Sequence, residues 1–159
     1  MLSIIPCLEV LKAVTDKNIS GSAAQSRVEA FSAAIDLKSI SGGADIILEG
    51  KLYERVKQRL EPDHEVFFFG SCRIDNSATG LSTYDVLGAI KWIAASEGKT
   101  RKTIILGENQ SDYGSILNEN IICVKPADFV YKVKRAKELF EKRQYTLFQD
   151  ALTAVFFPA

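Results

Sequence analysis

Apolar positions along the chain fall into short runs, separated by polar stretches rich in glycine, proline, serine and asparagine. Met1 to Ile5 is an apolar run of first-strand length, and Pro6 stops it because proline cannot donate to a sheet ladder. Leu8, Val10, Leu11 and Val14 have helical spacing between Leu8 and Asp16. After a turn at Asn18 to Ser22, Val28, Phe31, Ala34 and Ile35 mark one face of an alanine-rich helix from Ala23 to Leu37. Ser39 to Gly43 is a loop. Asp45 to Glu49 reads as a short strand or as the lead into the next helix, Lys51 to Leu60. That helix carries Leu52, Val56 and Leu60 at i, i+4 and i+8, with Pro62 just past its end. Val66 to Phe69 is the most strand-like run of all, followed by a polar loop from Arg73 to Thr79.

The central feature is the stretch from Gly80 to Gly98. Between Tyr84 and Ala95 its charged residues are Asp85 and Lys91, and apolar residues cover nearly the whole circumference, which predicts a helix packed on more than one side. Ser82 is placed to cap it, Asp85 stands three residues on, and Gly98 is placed to stop it. Lys99 to Lys102 reads as a solvated basic loop. Thr103 to Leu106 and Ile121 to Val124 read as β-branched strands. Pro126 opens a helix that Ala127 to Lys142 completes, and Gln144 to Phe157 packs back on the body, since Val155 to Pro158 would be sticky if exposed.

Helices alternating with short apolar strands predict an α/β fold: a three-layer α/β/α sandwich with a short, mainly parallel sheet, as one domain over residues 1–159. Ligands of such sheets gather at the carboxyl ends of the strands, where Asp85 and the loop after Leu106 are expected. Composition narrows the chemistry. At 159 residues and 47% hydrophobic, one domain can bury a proper core. Twenty basic and twenty acidic residues cancel, so any nucleic-acid contact must come from a local patch. Cys7, Cys72 and Cys123 have no C-x-x-C spacing, which argues against a disulfide framework and a structural zinc site. With no signal-like segment and no long apolar run, the expectation is a soluble cytoplasmic protein without a membrane partner. Ser41-Gly-Gly-Ala lacks the pattern of a phosphate loop.

Each candidate residue has a plain reading beside a chemical one. Asp85 is either a first-turn acid satisfying backbone N–H groups and the helix dipole or a metal or acid–base ligand at the sheet edge. Glu54, among Lys51, Arg55, Lys57 and Arg59, is by itself a solvated ion pair. Glu108, Asn109, Ser111 and Asp112 are ordinary turn formers. His64 reads as a surface residue. Lys132, Lys134, Arg135, Lys137, Lys142 and Arg143, with Lys99, Arg101 and Lys102, are either phosphate contacts or wet surface.

Taken in order, these pieces resemble the PIN-domain nucleases over roughly residues 2 to 130. Gly80-Leu-Ser-Thr-Tyr-Asp85-Val-Leu-Gly-Ala is similar to the family's third acidic motif. Ile104-Ile-Leu-Gly-Glu108-Asn109-Gln-Ser-Asp112-Tyr resembles its next strand and fourth motif, and Ile121 to Phe129 its last strand and P-x-x-F turn. Leu52-Tyr-Glu54-Arg fits the helix of the second acid. The resemblance implies a Mg²⁺- or Mn²⁺-dependent ribonuclease, of the kind found as toxin components, with Glu54, Asp85 and Asn109 on the metal and Asp112 assisting. It also implies RNA, an antitoxin or a second copy of the chain as partners. The departures are that Pro6 stands where the first aspartate belongs, that Asn109 fills the fourth acid's position, and that Lys99 to Lys102 lengthens the gap. Glu9, one helical turn after Pro6, is the nearby acid that could reach in. The alternative is a catalytically inactive PIN-like binding or assembly module.

Overall fold

The computed structural model describes residues 2–15, 21–40, 42–49, 72–75 and 83–158, with the backbone alone at 15, 48–49, 72–75, 83–86 and 89. Among the described residues five strands form one parallel sheet: β1 (Leu2–Pro6), β2 (Ala44–Glu49), β3 (Cys72–Asp75), β4 (Thr103–Leu106) and β5 (Ile121–Val124), in the order β3-β2-β1-β4-β5. Every pairing is parallel. β1 and β4 are buried at every position. Strands covered on both faces need continuous apolar runs rather than alternation, which is how both read in the sequence.

Pro6 has a defined effect on this sheet. Leu2 N–H bonds to Gly43 O on the β2 side, while Ser3 and Cys7 N–H bond to Lys102 O and Leu106 O on the β4 side. Even positions of β1 therefore donate toward β2, and proline at position 6 removes a donor on that side. The β1–β2 register ends at Ile4 and Ile46, whereas the β1–β4 register runs on to Pro6 and Leu106. One proline thus ends one ladder and leaves the other intact.

The chain steps from β1 to β2 and β3, then returns past β1 to β4 and β5, so the connections change direction between β1 and β4. Right-handed crossovers then place α1 (Leu8–Thr15) and α2 (Ser22–Ser39) on one face and α3 (Thr83–Glu97) on the other. α4 (Pro126–Glu141) packs against α2, and α5 (Phe148–Phe156) against α4, where Phe129 and Phe156 have ring centroids 5.4 Å apart. The architecture is three-layer α/β/α. Register puts Ile5, Ile47 and Ile105 on the α3 face, against Ile90, Ile93 and Ala94, and Ile4, Ile46 and Ile104 on the other.

Helix ends follow local chemistry. Gly43 ends the α2 connection in a space where a Cβ would collide with Leu37 O. Pro126 opens α4 at its first position. Its far end is a Schellman turn: Arg143 N–H bonds to Phe140 O at 3.0 Å and Gln144 N–H to Leu139 O at 3.1 Å, with Arg143 at φ 58°.

Two readings change. Arg73 to Asp75, expected in a loop, belongs to β3, because register with Ile47 to Glu49 supplies hydrogen bonds that side-chain polarity does not advertise. The central helix, expected to pack on more than one side, leaves the apolar Trp92 56% exposed. Lys99 to Lys102 is not simply solvated. Arg101 Nη1 lies 2.6 Å from Asp45 Oδ2 and donates to Ser3 Oγ at 3.5 Å, and the Ser3 hydroxyl donates to Glu97 at 3.3 Å. Lys102 Nζ donates to Asn120 Oδ1 at 2.9 Å. These contacts tie the amino edge of the sheet together. The run at Val66 to Phe69, the helix at Lys51 to Leu60 and His64 lie outside the described residues. No helix among the described residues is long and apolar enough to cross a membrane.

Candidate functional site at the carboxyl edge of the sheet

Parallel sheets of this kind offer a crevice where the connections diverge, here beyond the carboxyl ends of β1 and β4. Past Pro6 the ladder continues for one more bond, Cys7 N–H to Leu106 O at 2.9 Å, and β4 continues with Gly107 N–H to Val124 O at 3.1 Å. Cys7 and Gly107 therefore sit side by side at the mouth. The Cys7 side chain is buried, and its Sγ lies 3.0 Å from the Tyr113 hydroxyl. Tyr113, also buried, comes from the 3-10 turn Gln110–Tyr113 that follows β4. A Cβ on Gly107 would lie 2.6 Å from Cys7 Sγ and 3.1 Å from Glu9 Oε1. The mouth has no room for a methyl group.

The polar groups around this plug are paired. Glu9, in the first turn of α1, accepts the Glu108 N–H on Oε1 at 3.1 Å. Glu108 in turn accepts from Arg27 Nε of α2 at 3.2 Å, both side chains being about one-third exposed or less. Half-buried Cys123 points its Sγ at Gly107 O, 3.7 Å away. Burial, and then the Glu9 charge, push the Cys7 thiol well above its ordinary range. The same two causes, in the same order, raise Cys123 to about 11. Burial, then Cys7, push the Tyr113 phenol up as well. All three groups stay protonated at neutral pH, so neither thiol is an activated nucleophile.

The expected site residues divide. Glu54 lies outside the described residues. Asp85 falls in the first turn of α3. The other end of that helix touches the amino edge through Glu97 and Ser3, so α3 runs against the strands and its first turn points to the carboxyl side. Asn109 and Asp112 are exposed on the loop after β4, joined by Asp112 N–H to Asn109 O at 3.2 Å. Asp112 is close enough to act electrostatically on Cys7 and Cys123. Glu9 does reach the carboxyl edge, and its carboxylate is engaged by a backbone amide there. The Cys7–Tyr113 pair and Arg27 were missed. Cys7 carried a signal, as the residue immediately after a strand-ending proline. Arg27 carried none, being 81 positions from its partner.

Mg²⁺ and Mn²⁺ require several hard oxygen ligands, preferably anionic. Among the described residues no three His, Cys, Asp or Glu side chains come together as a metal-binding group. At the mouth itself, Pro6 and Cys7 supply no carboxylate, Glu9 holds an amide and Glu108 holds Arg27. The described residues do not fit the cation. No protein-family model, no curated protein and no solved structure matches the chain.

Proposed function

We propose that this chain is a PIN-like module that binds or assembles with a partner and does not cleave RNA. The observation that carries the reading is the closed mouth between β1 and β4, where buried Cys7 and Tyr113 fill the space next to Gly107. A hydrolytic site would need an acid, a cation and a water at that place. Here the acid position is proline, and the side chain after it is a protonated thiol. A closed crevice leaves the outer surface of the domain for any partner it meets.

The competing reading is the metal-dependent ribonuclease, possessing Glu54, Asp85 and Asn109 as ligands and Asp112 as an assisting acid. The test compares wild type with Asp85→Asn on labelled single-stranded and structured RNA, in Mn²⁺ and in Mg²⁺. Calorimetric titration with Mn²⁺ runs in parallel. The expected result is no metal-dependent cutting that separates the two proteins, and no saturable Mn²⁺ binding that Asp85→Asn removes. Metal-dependent cleavage abolished by Asp85→Asn would overturn the proposal and make Glu54 the next residue to change.

A further inference from the structure

The connection from β4 to β5 leaves the sheet after Gly107 and rejoins it at Asn118. Both ends are clamped to β5, one by Gly107 N–H to Val124 O and the other by the Asn118–Ile121 bridge. Ile121 and Val124 bound one short strand, so the clamps lie about 10 Å apart. A surface excursion with neighbouring ends, packed by its own side chains, has the form of an Ω-loop.

Between the clamps the loop is joined to the body by side chains. Among the described residues the backbone–backbone hydrogen bonds of 108–117 close within the segment. They run from Asp112 N–H to Asn109 O, from Gly114 N–H to Ser111 O and from Ile116 N–H to Tyr113 O. Arg27 and Glu9 hold only its first residue, Glu108. Farther out, Tyr113 alone is buried, and Ile116 and Leu117 pack partly against the core. The Tyr113 hydroxyl meets a thiol, Cys7 Sγ, which is a weak hydrogen-bonding partner. A segment with few buried apolar side chains and no ladder to its neighbours lies at the low end of local stability.

That one buried ring occupies the mouth between β1 and β4, where parallel sheets of this kind bind ligands. We propose that residues 108–117 are a lid on this crevice, latched by Tyr113, which opens while the sheet and helices stay folded. The structure holds the closed state, with the chain's own phenol as an autoinhibitory plug. Opening withdraws that ring and bares Cys7 and Gly107, leaving a slot for a ligand with a phenol-sized group. The slot is a gated place additional to any partner surface on the outside of the domain. Opening changes access and not the residues that line the crevice, so the lid does not rest on the non-cleaving reading.

The test uses the full chain carrying Cys72→Ser and Cys123→Ser, so that Cys7 is the single thiol. Its labelling by dithiobis(nitrobenzoate) is followed at rising urea below the unfolding transition. Labelling through the lid should depend only weakly on urea, whereas labelling through global unfolding carries the full unfolding slope. Tyr113→Ala should speed labelling about tenfold or more, and Arg27→Ala by a smaller factor. Adding p-cresol, the tyrosine side chain as a free molecule, should slow labelling of Tyr113→Ala again. If that variant does not fold, the urea dependence and Arg27→Ala still decide. Labelling with the full unfolding slope, rates unchanged by both substitutions, or a Tyr113→Ala rate indifferent to p-cresol would overturn the proposal. Metal-dependent RNA cleavage would sink the non-cleaving reading and leave these rates standing, so the two failures are distinguishable.

Discussion

Replacing Gly107 with alanine adds one methyl group to the mouth between β1 and β4, and its cost measures how full that mouth is. The added carbon would lie 2.6 Å from Cys7 Sγ, whereas non-bonded heavy atoms rest at about 3.5–4.0 Å. Roughly an ångström of overlap must be relieved by moving a buried side chain on a short stem. Overpacking of this kind costs about 1–3 kcal/mol. Against it stands the roughly 0.4–1 kcal/mol that alanine contributes by restricting the unfolded chain. The net expectation is a loss of about 1–2 kcal/mol. Cys7→Ala alone removes one buried heavy atom, for about 1 kcal/mol, and leaves the Tyr113 hydroxyl without its partner, for roughly another. Combined, the two substitutions should not add, because the methyl on residue 107 occupies space that the sulfur has left. The double variant should be more stable than the sum of the singles predicts by about 1–2 kcal/mol. Urea unfolding followed by far-ultraviolet circular dichroism measures all four corners of the cycle. A neutral or stabilised Gly107→Ala, or strictly additive effects, would show that the mouth is open and would remove the main support for a non-cleaving domain.

Two further outcomes follow from local geometry and titration. Arg143 occupies a left-handed conformation, φ 58°, at the end of α4, so Arg143→Gly should raise stability by about 0.5–1 kcal/mol, read as a higher urea midpoint at unchanged slope. The folded-state pKa of Cys123 is raised from 9.0 to about 11, chiefly by burial and then by Glu9. Its stabilising contribution is therefore complete below the unfolded value and fades as pH rises through roughly 9 to 11. The urea midpoint should fall across that window in wild type, and fall less steeply in Cys123→Ala.

The local pattern was enough to place β4, β5 and α4 almost to the residue. Thr103–Leu106 and Ile121–Val124 are continuous β-branched or apolar runs between polar turns, the form that strands buried on two faces take. Pro126 marks its own position because a missing donor is harmless at the first turn of a helix. Pro6 was legible for the opposite reason, since a donor is needed there and its absent N–H ends the β1–β2 ladder where the apolar run stops. These are decisions made within a few residues, by hydrogen-bond capacity and side-chain period.

The candidate site was decided elsewhere. Arg73 to Asp75 joined β3 because a neighbouring strand offered a ladder, and a tripeptide with one apolar residue between two charged ones carries no mark of its future neighbour. Asp45 and Arg101 are 56 positions apart and meet at the amino edge. Cys7 and Tyr113 are 106 positions apart and meet at the carboxyl edge. Whether the mouth between β1 and β4 is a pocket or a plug depends on that second meeting, on Glu9 turning to the Glu108 amide, and on Gly107 having no side chain. Pro6 marked in the sequence where the β1–β2 ladder ends. What fills the space beyond it is a matter of packing between distant segments, and packing is settled when the sheet brings them together.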